Sequence, residues 1–138
     1  MELLERLRMS TKQYYTYYND TYGATCYLYI GSGESFCEWL DKKFDCDENP
    51  MEYTYAGLSL TLGMKDGSKI HIIWMPKYDF SIEDYVTLSH ESLHTAIRIM
   101  QNRGCESIGK GSNEELTYFH DSIYRAFLRR LVKDRYEK

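Results

Sequence analysis

The pattern of apolar and polar positions divides the chain into a strand-rich first part and a helical second part. The aromatic and β-branched run at 25–30 predicts a strand that two glycines end. Residues 56–63 alternate apolar and polar side chains, and the apolar run KIHIIWMP at 69–76 closes with a proline. Because an Asp-Gly pair typical of a tight turn lies between these two runs, we expect a β-hairpin over 56–76.

Helical spacing predicts three further elements. Apolar residues recur every four positions between Phe36 and Phe44, so a helix is expected to begin at Ser32 or Gly33 and to end in DCDENP. A second helix is expected from a cap at Asp79 or Ser81 to about residue 103.

A last helix is predicted to about residue 134. Ser112 and the glutamate three residues later form a capping-box pattern at its start. The segment MELLERLRM could form a short additional helix. Strands followed by two long helices, in 138 residues, predict a single α+β domain with a small antiparallel or mixed sheet packed on helices.

Charge and composition exclude two classes of partner. The net charge is −4 and both signs are interspersed, which argues against nucleic acid as a partner. No run approaches the roughly 18 apolar residues of a membrane span, and the N-terminal segment is charged, so we expect a cytoplasmic protein without a membrane partner. The basic run RAFLRRLVKDRYEK is interpreted as the solvated face of the last helix, with a docking patch as the alternative.

The cysteines do not carry a metal-binding pattern. They form no CxxC pair and no zinc-finger spacing, so in a reducing compartment we expect semi-buried free thiols. The four are Cys26, Cys37, Cys46 and Cys105.

The string His90-Glu91-Ser92-Leu93-His94 matches HExxH. Positions i and i+4 adjoin on one helix face, so both imidazoles can reach one zinc ion. Glu91 lies about 100° around the helix, where its carboxylate can approach the open side of the metal without binding it. An apolar stripe formed by Val86, Leu93, Ile97 and Met100 is expected to bury the face beside the histidines.

A catalytic zinc needs a third protein ligand. The chain lacks the glycine and histidine of HExxHxxGxxH, so a carboxylate on the next helix is expected instead. Glu114 is favoured, because Glu115 belongs to the capping box and points about 100° away. Glu115 and then His120 are the alternatives. His71, in the strand before the motif, is interpreted as an outward strand residue rather than a fourth ligand.

Over residues 70–124 the chain resembles the zincin superfamily, and more narrowly the small single-domain gluzincins, which pair HExxH with a glutamate on the following helix. The segment Glu114-Glu115-Leu116-Thr117-Tyr118 fits their E-x-x-(small)-(Tyr or Asp) pattern. Phage-encoded proteins with peptidase motifs are similar in size and element order. The second domain of larger gluzincins, which supplies a Tyr or His to the oxyanion, has no counterpart here; Tyr118, His120 or an N-terminal tyrosine could replace it.

The resemblance implies a zinc-dependent metallopeptidase that cleaves a peptide or protein substrate, with Glu91 activating the water. It also implies that KIHIIWMP is a sheet edge that pairs with extended substrate. Asp121 could orient a ligating histidine. If the chain is phage-encoded, it would work in the host cytoplasm. The alternatives are a metal-stabilised domain that binds a host protein without catalysis, and a hydrolase of non-peptide amides.

Overall fold

The computed structural model describes residues 13–46, 56–104 and 114–136. The predicted helix in MELLERLRM, the Ser112 cap and Cys105 lie outside these ranges. The strands are β1 (Tyr14–Asn19), β2 (Ala24–Ile30), β3 (Leu58–Gly63) and β4 (Lys69–Met75). The helices are α1 (Gly33–Phe44), α2 (Ile82–Asn102) and α3 (Glu114–Tyr136).

The strands form one mixed sheet in the order β1-β2-β4-β3. β1 pairs with β2 and β3 with β4 in antiparallel fashion, whereas β2 and β4 run parallel. The parallel pair requires a crossover, and α1 lies within it. This arrangement confirms the predicted α+β class and the hairpin formed by β3 and β4.

Both faces of the two central strands are covered, because alternate side chains of β2 and of β4 enter different apolar clusters. On one face α1 contributes Phe36 and Leu40, which pack with Ile72 and Trp74 of β4. On the other face α2 and α3 pack over the strands. The buried residues of that second cluster include Cys26, Leu28, Ile73, Leu88, Ile99, Phe119, Ile123 and Phe127.

The helix boundaries follow their capping residues. Ser32 caps α1, its side chain accepting from the N–H of Ser35. Ser81 caps α2 and forms a capping box with Asp84, which confirms one of the two predicted caps. The α3 helix extends to Tyr136, two residues beyond its predicted end.

Two sequence expectations about the sheet are wrong or incomplete. KIHIIWMP corresponds to β4, which lies between β2 and β3 and is not an edge. Within the described ranges the outer strands are β1 and β3. The β1 strand was not predicted, because its tyrosines have an apolar ring and a polar hydroxyl and so blur the alternation that identifies a half-buried strand.

His71 is buried, with 4% of its surface exposed, so its prediction as an outward residue is wrong. The reason is the interior position of β4, where side chains on both faces are covered. Its Nδ1 lies 2.9 Å from Oγ1 of Thr61 on the neighbouring strand. Burial, together with the nearby cations Arg98, Lys69 and Arg103, lowers the pKa of His71 to about 4.

This lowered pKa predicts an acid sensitivity. Between pH 6.5 and 4 the unfolded chain binds a proton at residue 71 that the folded chain excludes, so stability is full above pH 6.5 and falls as the pH drops towards 4. The expected loss is about 3 kcal/mol. Urea unfolding of the wild type and of His71→Asn at pH 7 and pH 4 measures it. An equal loss in both proteins would show that His71 is not the cause.

The remaining predictions concern thiols and surface charge. Cys26 is fully buried as a free thiol, and burial raises its pKa to about 12, whereas Cys46 is a half-buried free thiol. Cys37 is half-buried in α1. The basic residues of α3 are exposed, as predicted, and its buried residues are Phe119, Ile123, Phe127 and Leu131. None of the helices in the described residues is long and apolar enough to cross a membrane.

Candidate metal centre

His90 and His94 point towards each other from successive turns of α2. Their Nε2 atoms are 3.1 Å apart and their rings are nearly perpendicular. Two nitrogens bound to one tetrahedral zinc at about 2.0–2.1 Å stand about 3.3 Å apart, so the observed spacing is close to that of a ligand pair and is also a hydrogen-bond distance. Both side chains are exposed, His90 by 63%, and the pair is therefore open to solvent.

Glu91 differs from its histidine neighbours in being buried, with 8% exposure. One carboxylate oxygen lies 3.8 Å from Nε2 of His90. The potential ligand atoms of His90, Glu91 and His94 all fall within 4.8 Å of one another. The helix thus presents two accessible nitrogens and one shielded carboxylate to the same small volume.

The first residues of the β3 segment shield Glu91. A Cβ placed on Gly57 would lie 3.4 Å from Cγ of Glu91 and 2.7 Å from Cγ2 of Thr87. Gly57 therefore allows the chain to pass directly over the Glu91 stem. The outer strand β3 begins beside the carboxylate, not at a distance from it.

This close approach predicts that Gly57→Ala is destabilising. A methyl 2.7 Å from a carbon must push the strand or Thr87 aside, at a cost of about 1–3 kcal/mol. Thr87→Ser removes the clashing methyl and should restore most of the loss. Gly63→Ala is the matched control, because its Cβ would meet nothing within 4 Å. Chemical denaturation measures all three, and equal stabilities of Gly57→Ala and Gly63→Ala would contradict the expectation.

A polar network ties β3 to α2 behind the site. Oγ1 of Thr95 donates to the backbone oxygen of Glu91 and lies 2.9 Å from Oγ of Ser59. Nη1 of Arg98 donates to the backbone oxygen of Ser59 and lies 3.3 Å from its Oγ. Because Ser59 and Thr95 are buried, these bonds hold the strand in register with the helix that carries the histidines.

Among the described residues, no carboxylate from α3 joins the His90, Glu91 and His94 group. Glu114, the predicted third ligand, is the first residue of α3, and both it and Glu115 are exposed. The two predicted histidine ligands are therefore brought together and the predicted carboxylate is not among the grouped atoms.

His120 approaches α2 but not as a ligand. Its Nε2 is 2.9 Å from the backbone oxygen of Ser89. A carbonyl only accepts, so this nitrogen carries the hydrogen. A carboxylate oxygen of Asp121 lies 3.9 Å from Nδ1 of His120, which is too far for a hydrogen bond. Tyr118 is 69% exposed.

The helix face that carries the histidines is exposed, contrary to the predicted burial of its apolar stripe. Val86 is 62% and Leu93 38% exposed, and Ile82, one turn before Val86, is 77% exposed. The face that packs on the sheet is the one with Leu88, Ser92 and Ile99. Of the predicted stripe, Met100 is buried and Ile97 half-buried, whereas Val86 and Leu93 are exposed, because apolar positions recur on both sides of α2. The result is an apolar border around an exposed histidine pair.

The donor set fits zinc. The two imidazole nitrogens are ordinary zinc ligands, and their 3.1 Å spacing is close to the spacing of two ligands on a tetrahedral zinc. Comparison with protein-family models, with curated proteins and with solved structures found no match to this chain.

Proposed function

We propose that the protein is a zinc-dependent metallopeptidase in which His90, His94 and Glu114 hold the metal and Glu91 is the general base. The observation that carries the proposal is the 3.1 Å approach of the two Nε2 atoms beside a shielded carboxylate. Two imidazoles that adjoin on one helix face, with a carboxylate within 4.8 Å of them, supply donor atoms suited to a zinc site.

Zinc, when bound, lowers the pKa of water to about 7 and polarises the carbonyl of a scissile amide. The Glu91 carboxylate takes the proton of the attacking water and delivers it to the departing amine nitrogen. Gly57 packs against the Cγ of Glu91, and burial leaves only 8% of this residue exposed. His90 and His94, both exposed, would hold the metal.

An extended peptide is the substrate class that the surroundings favour. The outer edge of β3 starts beside Glu91 and can add a strand by backbone hydrogen bonds. The apolar border at Ile82, Val86 and Leu93 can accept an apolar side chain of that peptide. Edge pairing is thus assigned to β3 instead of β4.

The test begins with chelator-treated protein to which one equivalent of zinc is returned. Elemental analysis should give one zinc per chain. Mass spectrometry of a proteome-derived peptide mixture should reveal cleavages that chelation abolishes and zinc restores. Stoichiometric zinc without any cleavage would contradict a peptidase.

A non-catalytic metal-stabilised binding domain is the second candidate. It is favoured by the exposure of His90 and by the absence of a carboxylate from α3 in the described ligand group. In that case zinc would raise the melting temperature by mass action while no peptide is cleaved. The same zinc-return experiment separates the two functions.

A further inference from the structure

The outer edge of β3 has a defined set of outward-pointing backbone groups. At the hairpin end, the N–H of Met64 donates to the oxygen of Ser68, so these residues form a hydrogen-bonded pair. Such pairs alternate along an antiparallel ladder. With Gly63 opposite Lys69, the N–H and C=O groups of Ser59 and Thr61 point away from β4. These are the groups that an added strand would use.

The side chain of Arg98 is bonded to one of these outward-pointing backbone groups. Its guanidinium donates to the carbonyl oxygen of Ser59, which is the acceptor nearest to Gly57 on the strand. The side chain starts one turn after His94, on the same helix. Thr95, bonded to Ser59 and to the backbone of Glu91, holds this part of β3 against α2. Because the guanidinium is charged and joins a network of buried hydrogen-bonding residues, it holds the Ser59 carbonyl strongly and blocks it for an added strand.

We propose that Arg98 is a specificity-determining residue that ends the substrate-pairing edge at Ser59. The inference rests on the proposed peptidase function. The usable edge then runs from Gly57, beside Glu91, to the N–H of Ser59, which is about 7 Å of strand. A substrate gains backbone hydrogen bonds over that length only, and residues that extend along 59–63 add nothing to binding.

The experiment uses full-length protein loaded with zinc and acetylated, amidated, fluorescein-labelled Thr-Val repeats of four, six, eight and ten residues. Binding is measured by fluorescence anisotropy in the Glu91→Gln background, alone and combined with Arg98→Met. Arg129→Met, which removes the same charge from an exposed site on α3, is the matched control. In parallel, kcat/KM is measured for a cleaved peptide lengthened by Thr-Val pairs in each direction, with and without Arg98→Met.

With Arg98 present, affinity should stop rising after the shortest peptides. With Arg98→Met it should continue to rise, about five-fold for each added pair of hydrogen bonds. In the kinetic series of Arg98→Met, lengthening the peptide at one end should lower KM, and lengthening it at the other end should not. The kcat should not change in either case. Arg98→Gln, which is too short to reach the carbonyl, should behave like Arg98→Met and serves if that variant does not fold.

Equal length dependence with and without Arg98, or no peptide binding by any variant, overturns the inference. If peptides bind with the predicted length dependence but none is cleaved by the wild type, the peptidase proposal fails. The proposal that Arg98 ends the pairing edge at Ser59 then stands. If peptides are cleaved and the length dependence is the same in all proteins, the peptidase proposal stands. The proposal that Arg98 ends the pairing edge then fails.

Discussion

Replacing Glu91 by glutamine is expected to leave one zinc per chain and to lower kcat at least about 1,000-fold. The amide has nearly the shape of the carboxylate, so the packing under Gly57 is preserved. It cannot accept the proton of the attacking water. Elemental analysis and the rate of cleavage of a single identified peptide measure the two quantities on the same preparation.

Glu83→Gln is a suitable control, because Glu83 is an exposed acid in the first turn of the same helix. It should retain both zinc and activity. Full activity in zinc-loaded Glu91→Gln would refute Glu91 as the base. Loss of zinc in that variant would instead make Glu91 a ligand, which its 3.8 Å distance from Nε2 of His90 would then explain.

Replacing Glu114 by alanine is expected to weaken zinc binding at least about 100-fold. Two imidazoles without a third protein ligand make a poor catalytic zinc site, and each lost ligand costs more than an outer-shell partner does. Competition with a chromogenic chelator measures the affinity. Because Glu114 begins α3, the change should leave the packing of the helix intact.

Glu115→Ala is the matched control, since Glu115 is also exposed in the first turn of α3 and has the same charge. It should keep the wild-type affinity. A loss in Glu115→Ala with none in Glu114→Ala would reassign the ligand by one residue. Unchanged affinity in both would move the search for a third ligand away from the start of α3.

Much of the fold could be predicted because local signals agreed. Ser32, Ser81 and the Asp66–Gly67 turn each determine an element boundary through their own backbone preferences, and the observed boundaries follow them. The convergence of His90 and His94 is likewise a local property of helical spacing.

Strand order and burial could not be predicted in the same way. Nothing in KIHIIWMP distinguishes an interior strand from an edge, because that depends on its pairing with β2, where Thr25 lies opposite Ile70. The exposure of Val86 and the burial of His71 both follow from how the elements pack. The role proposed for Arg98 depends on the register of β3, which is also a tertiary property.

The parallel pairing of β2 with β4 has a consequence for the order of folding. The hairpin of β3 and β4 is local and can close within microseconds, whereas joining β4 to β2 requires closing a long loop that contains α1. The two imidazoles can therefore meet as soon as their helix forms. The shielding of the glutamate between them requires Gly57 of the β3 segment to dock on that helix, so the proposed site should be completed only when the sheet packs on α2 during refolding.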